Sequence, residues 1–184
     1  MPHYRVTLAY DGTDFAGWQS QARGRTVQGV LEEALGPISG RPEGSRVAVV
    51  AAGRTDAGAH ALGQVACFHL DRDWALPDLV RALNGLLPFD ARALEAALVD
   101  ETFHARRSAL SKTYRYVLDT GPVQLPTRRR YAGHAPYALD RDAVSEVAAL
   151  YLGRHDFTSL ASAGGGVKTT VRTVLKSEVQ FEGD

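Results

Sequence analysis

The chain has 184 residues, 45% of them hydrophobic and 23% charged, which suits one ordinary globular domain or two small fused units and excludes a disordered chain. Its 21 basic and 21 acidic residues cancel, so a uniformly basic nucleic-acid binder is excluded, and no apolar run approaches bilayer-spanning length. Met1-Pro2-His3 leads straight into a strand-like segment and Cys67 is a lone cysteine, so neither a secretory leader nor an internal disulfide is expected, and the cytoplasm is the expected compartment.

Tyr4, Val6, Leu8 and Tyr10 alternate with Arg5, Thr7 and Ala9, the two-residue period of a half-buried strand. After the loop DGTDFAGWQSQARGR, Val27, Val30, Leu31, Leu35 and Ile38 define one face of a helix, with Thr26 as N-cap and Gly40 beyond its end. RVAVVAA (46–52) and GQVACFHL (63–70) read as strands, with Cys67 a small core residue of the second. Pro77 suits a helix first turn, and Leu79, Leu83, Leu86 and Leu87 follow at helical spacing as far as Pro88. ARALEAALV (91–99) favours helix by propensity, but its place in the order assigns it as a strand. The order β-α-β-β-α-β is that of a ferredoxin-like unit.

A second unit begins with the strand SKTYRYVLDT (111–120) and a basic, proline-containing loop. A helix runs from the Asp140 cap through Val144, Val147, Ala148 and Tyr151 to Gly153, and TVLKSEVQF (173–181) alternates as a strand. A further strand, helix and strand would be needed to repeat the first unit. The expected fold is therefore α+β: two ferredoxin-like (RRM-like) units, 1–105 and 106–184, sharing an antiparallel or mixed sheet with helices on one face, the second unit incomplete. A strand left at the sheet edge with an apolar face invites pairing with another chain.

Chemistry concentrates in AAGRTDAGAHALGQV (51–65), where Arg54, Thr55, Asp56 and His60 stand among three glycines directly after an apolar strand. Loops at strand ends are where a rigid scaffold can present catalytic groups. A guanidinium near Asp56 favours the ionised carboxylate a nucleophile requires, and Arg54 can also grip a phosphate bidentately. The same residues fit a surface turn with a local ion pair. Metal binding by Asp56 and His60 is disfavoured, because a glycine-broken turn does not give helical i,i+4 geometry and no zinc motif is present. In AGGGVKTT (163–170) Val167 precedes Lys168 where a phosphate loop needs glycine, which leaves a hinge or an RNA-facing loop. Between His104 and His134 there are seven basic residues and one acid, Asp119, a local patch able to meet phosphates. KTYRY sets Tyr114 and Tyr116 on one strand face, suited to stacking on an unstacked base or to covering a core edge. A hydrolase built on Asp11 or Asp14 with Asp56 fits only the carboxylate count.

Five ordered blocks resemble the bacterial tRNA pseudouridine synthase A family over nearly the whole chain: YDGTDFAGWQSQ with TVQGVLEEAL; AGRTDAGAHALGQV, departing at Ala59 where valine is usual; LNGLLPFDARA; FHARRSALSKTYRY; and LGRHDFTSLAS followed by VRTV. The resemblance implies isomerisation of uridine to pseudouridine in the tRNA anticodon stem-loop, with Asp56 as nucleophile, Arg54 assisting base flipping and pairing with that carboxylate, and Tyr114 stacking on the target base. It further implies that Arg106, His104, His60 and Trp18 bind substrate, and that the protein is a homodimer acting on tRNA. No atoms are gained or lost in the reaction, so neither metal nor redox cofactor is expected. The family continues past Asp184 with a Met-Val-Arg-like block and further sheet and helix, so a truncated chain, binding RNA without turnover, is the alternative expectation.

Overall fold

The computed structural model describes residues 1–161 and 169–182; the glycine run ahead of Lys168 lies outside the described residues. The chain divides into two compact units, Met1–Tyr114 and Arg115–Asp184, and each is taken by itself.

In the first unit β1 (His3–Tyr10) is central and pairs antiparallel with β3 (Ala61–His69) on one side and β4 (Ala91–Leu98) on the other. A two-residue strand, β2 (Val50–Ala51), pairs antiparallel with β3 at Cys67 and Ala66, giving the sheet order β2-β3-β1-β4. Tyr4, Val6, Leu8 and Tyr10 are all buried, as the alternation requires, beneath α1 (Val27–Leu35) and α2 (Leu76–Leu86). Val27, Leu31, Ala34 and Leu35 of α1 and Leu79 and Leu83 of α2 form the apolar stripes that meet them. Thr26 caps α1 by accepting from the Gly29 N–H, and Pro77 stands in the first turn of α2, where its missing N–H costs nothing. The propensity conflict at ARALEAALV resolves as strand because Ala91 and Ala93 complete this core. Tertiary burial outweighs a few tenths of a kcal/mol of propensity per residue.

Two boundaries differ from expectation. Helix α1 stops at Gly36, with Ile38 closing a turn onto the Leu35 carbonyl, so Gly40 (φ +77°) is a later turn residue. Residues 46–49 make no ladder. Val47 and Val49 are buried by packing alone, and the Arg41 guanidinium, not a strand, satisfies the Arg46 carbonyl.

In the second unit β5 (Leu118–Asp119) pairs parallel with β6 (Gly133–His134), α3 (Arg141–Ala149) follows its Asp140 cap, and β7 (Gly153–Asp156) pairs antiparallel with β8 (Val171–Val174). Here the sequence reading needs correction. Residues 111–117 are exposed at both parities and join no ladder among the described residues, because alternation stabilises a strand only where one face has something to bury against. The strand expected at 173–181 is confined to 171–174, paired with a strand at 153–156 that the sequence did not suggest. Among the described residues the strands form three separate sheets, one of four strands and two of two strands, rather than one. No residue of α3 is buried, so the second unit offers little apolar surface on which a longer sheet could be built. The coarse class, mixed α and β with an antiparallel sheet, stands.

Candidate active site

Strand β2 ends at Ala51, and the chain turns out of the sheet at 52–60 before β3 begins. The exit is fixed on both sides of Gly53. The Ala52 N–H donates to the Val65 carbonyl, the Gln64 amide donates to the Gly53 carbonyl at 2.7 Å, and Lys112 Nζ donates to the Ala52 carbonyl at 2.7 Å. A Cβ on Gly53 would stand 2.8 Å from that Nζ, so the glycine admits the lysine. Next, the Thr55 carbonyl accepts from the Trp18 N–H, and its hydroxyl lies 2.9 Å from the Tyr10 hydroxyl. Burial pushes the Tyr10 phenol above its ordinary pKa, while its bonds to Thr55 and Gln64 work the other way. Tyr10 thus acts as a neutral strut.

Asp56 opens a turn in which its carbonyl accepts from the Ala59 N–H and Gly58 carries φ +78°, the value a type II turn demands at its third position. The turn leaves both Arg54 and Asp56 exposed. A second loop, 11–18, supports it from behind. The Gly58 N–H donates to the Phe15 carbonyl, and the Gly12 N–H donates to His60 Nδ1 at 3.1 Å. Since a backbone N–H can only donate, neutral His60 carries its proton on Nε2. Asp11 Oδ1, 3.1 Å from the same Nδ1, would accept from it only where Nδ1 carries a proton, with the Gly12 bond given up. Asp11 is itself held by Thr13, whose N–H and hydroxyl both donate to Oδ1. Gly12 has no room for a side chain: a Cβ there would fall 2.0 Å from the Ala59 carbonyl oxygen.

The residues singled out from sequence fall into three groups. Arg54, Asp56 and His60 share this loop, but among the described residues no ion pair joins Arg54 to Asp56, a result expected for two solvated groups at a loop tip, where such a pair contributes about 0–1 kcal/mol. Trp18, 2% exposed, belongs to the core beside Tyr10, so it carries the loop through its backbone rather than lining an open surface. His104 folds the 104–108 turn: its Nδ1 accepts from the Arg106 N–H, its carbonyl accepts from the Ser108 N–H, and Arg106 is left exposed. Tyr114 is 85% exposed, with its ring uncommitted to the core. Thr55, Gln64, Gly12 and Lys112 escaped the sequence argument as supports of the loop. All four stand inside the family-like blocks, which were the only available signal. Cys67 is buried, and burial pushes its thiol up, which leaves it no nucleophile at neutral pH.

No deep pocket is needed for a macromolecular substrate. The larger of two shallow depressions, about 520 Å³, is lined by Leu98, Val99, Asp100, Thr102, Phe103 and Ser108 and does not include the Asp56 loop.

An arginine and a carboxylate two residues apart on a glycine-braced turn, at the end of a sheet strand, define a loop built to hold a charged reactive group against solvent. The family described as tRNA pseudouridine synthase matches residues 7–106, and the chain belongs to that family. It is 46% identical over 178 residues to tRNA pseudouridine synthase A of Latilactobacillus sakei, a match covering 97% of this chain and 70% of the relative. It is 45% identical over 180 residues to that of Lacticaseibacillus casei (98% and 72%) and 42% identical over 191 residues to that of Limosilactobacillus reuteri (99% and 74%).

Proposed function

We propose that the protein isomerises uridine to pseudouridine in tRNA, with Asp56 as the group that attacks or deprotonates and Arg54 as the residue that compensates for base extrusion. The observation that carries this reading is the Asp56 turn: an exposed carboxylate on a backbone fixed by bonds from Trp18, Gly58 and Ala59. A uridine inside a stem must leave its stack, at a cost of a few kcal/mol, before a side chain reaches its glycosidic bond. Arg54 then holds a phosphate or fills the vacated space. Ring closure of the base onto Asp56 supplies the desolvation that an exposed carboxylate lacks, and the exchange of a C–N for a C–C bond occurs inside that enclosure.

Tyr114 stacks on the extruded base, and its high exposure together with its place in the same compact unit as Asp56 supports that role. Arg106, His104 and His60 contribute to substrate binding, Arg106 by its charge and the two histidines by shaping their turns. Strand order β2-β3-β1-β4 supports reading the first unit as ferredoxin-like, with residues 1–105 as the functional division that carries the catalytic loop. The anticodon stem-loop as the target, a homodimer and a cytoplasmic setting belong to the same proposal.

The direct test is release of tritium from C5 of labelled uridine in tRNA. Asp56→Asn should abolish release while tRNA binding persists; substantial turnover by that variant would reject the role of Asp56. RNA binding without turnover is the second reading, favoured by the exposed Tyr114, which offers a face for base stacking, and by the Arg128–Arg130 run, whose charge would make binding salt-sensitive. Wild-type tritium release disposes of it.

A further inference from the structure

The strongest cluster of chemistry-bearing side chains outside the Asp56 loop lies at the other end of the same sheet. His3 and His69 are directly opposed in the β1–β3 register, so their side chains share one face. The Val99 N–H donates to the His3 carbonyl, pinning the segment after β4 to the same strand end and bringing Glu101 beside the two imidazoles. One ligand-capable atom from each of His3, His69 and Glu101 lies within 4.8 Å of the others, the one such trio among the described residues. None of the three takes part in the proposed isomerisation.

From this convergence of two strand ends and one turn we propose that His3, His69 and Glu101 form a binding site for a nitrogen-preferring divalent transition-metal ion, of which Zn²⁺ is the type. The protonation pattern suits it. His3 Nδ1 lies 3.0 Å from the Asp100 carbonyl, which can only accept, so Nδ1 carries the proton and Nε2 keeps its lone pair. An imidazole oriented by a backbone carbonyl through one nitrogen and offering the other is the common form of a metal-binding histidine. His69 Nε2 and Glu101 Oε2 are 3.0 Å apart, within a few tenths of an ångström of the roughly 3.3 Å edge that two tetrahedral ligands span at bond lengths of about 2.0–2.1 Å. His3 is buried and braced by the Phe103 ring edge, which fixes one ligand before any ion arrives.

Geometry also dictates what must move. The two imidazoles are stacked at 4.0 Å with planes 11° apart, and an ion must lie near the plane of each ring it binds. One ring therefore has to turn. His69, whose side chain is 38% exposed, has room to do so, and the buried His3 does not. The ion displaces the proton shared by His69 and Glu101, which leaves to solvent, and ties β1, β3 and the segment after β4 together, a structural role with the fourth tetrahedral position left to water.

The test is calorimetric titration of the untagged full chain with Zn²⁺ in chelator-free buffer, with Co²⁺ absorption reporting coordination and melting temperature read with and without metal. One ion per chain should bind saturably and raise the melting temperature, as any ligand selective for the folded state does. His69→Ala and Glu101→Gln, both on the exposed side, should weaken binding at least about tenfold and erase the thermal shift, while melting in chelator and tritium release stay as in the wild type. Wild-type affinity weaker than about 1 mM, or binding that survives His69→Ala, overturns the site. Loss of tritium release with metal binding intact would count against the catalytic proposal only.

Discussion

Replacing Gly12 by alanine probes the claim that the 11–18 loop sets the position of the Asp56 turn. The added methyl group would stand 2.0 Å from the Ala59 oxygen, 2.4 Å from its carbon and 3.0 Å from its nitrogen. These are backbone atoms, so no side chain can swing aside, and the two loops must part by about 1 Å. Ala59 closes the turn that Asp56 opens, and Gly12 also donates to His60 in the same loop, so the displacement falls on the reactive residue itself. A misplacement of that size costs about a hundredfold in rate, or about 2.7 kcal/mol of transition-state stabilisation. The accompanying loss of stability should be about 1–3 kcal/mol, which a domain of ordinary stability survives. Single-turnover tritium release and thermal melting read the two effects separately. Gly85→Ala serves as the control, since nothing lies within 4 Å of a Cβ at that position in α2. Release by Gly12→Ala within about threefold of wild type, with an unchanged melting temperature, would refute the reasoning that backbone contact between these loops positions Asp56.

The control carries its own expectation: Gly85→Ala should stabilise the protein by about 0.5–1 kcal/mol in denaturant unfolding, because it removes unfolded-state freedom at a helical position with open space. Thr26→Ala should cost about 1 kcal/mol in the same measurement through loss of the α1 cap, and Thr26→Ser should recover most of it. Asp90 holds Arg25 through two bonds of 2.6 and 2.7 Å, which depress its carboxyl below 3.8; the pair therefore stabilises above that pH and ceases to do so as pH falls through the lower folded value. Asp90→Asn should accordingly lie about 1 kcal/mol below wild type in urea unfolding at pH 7, a modest figure because the guanidinium is 38% exposed, and the gap should close as pH falls through the lowered carboxyl value.

The first unit was legible because its elements announce themselves by burial. The alternation in β1, the apolar stripes of α1 and α2 and the cap at Thr26 each answer to a buried face. Position settled ARALEAALV where propensity pointed the wrong way. The failures share the opposite cause. SKTYRYV alternates aromatic and polar residues with no face to bury, and GRHD at β7 contains no strong strand former and is wholly exposed. The family resemblance implied that Trp18 binds substrate, yet its ring lies in the core and its backbone N–H braces the Asp56 loop through the Thr55 carbonyl. The supports of the Asp56 loop are long-range: Lys112 to Ala52 spans 60 positions and Tyr10 to Thr55 spans 45. No local pattern encodes such pairs.

The arrangement around Asp56 divides its labour between backbone and side chains in a way that suits a flipped base. Among the described residues, the turn is fixed by the main chain and by Thr55, Gln64, Lys112 and His60, while Arg54 and the Asp56 carboxylate remain in solvent. A carboxylate committed to a strong ion pair in the free protein would have to break that pair before reacting, and the cost would appear in the barrier. Left solvated, it would give up only water in the proposed reaction as the extruded pyrimidine closes over it, and a pairing with Arg54 or a phosphate would gain strength as the local dielectric falls. Rigidity is placed in the peptide framework and freedom in the charges. For that reason a clash between main chains, as at Gly12, should damage turnover far more than loss of an exposed ion pair elsewhere on the surface.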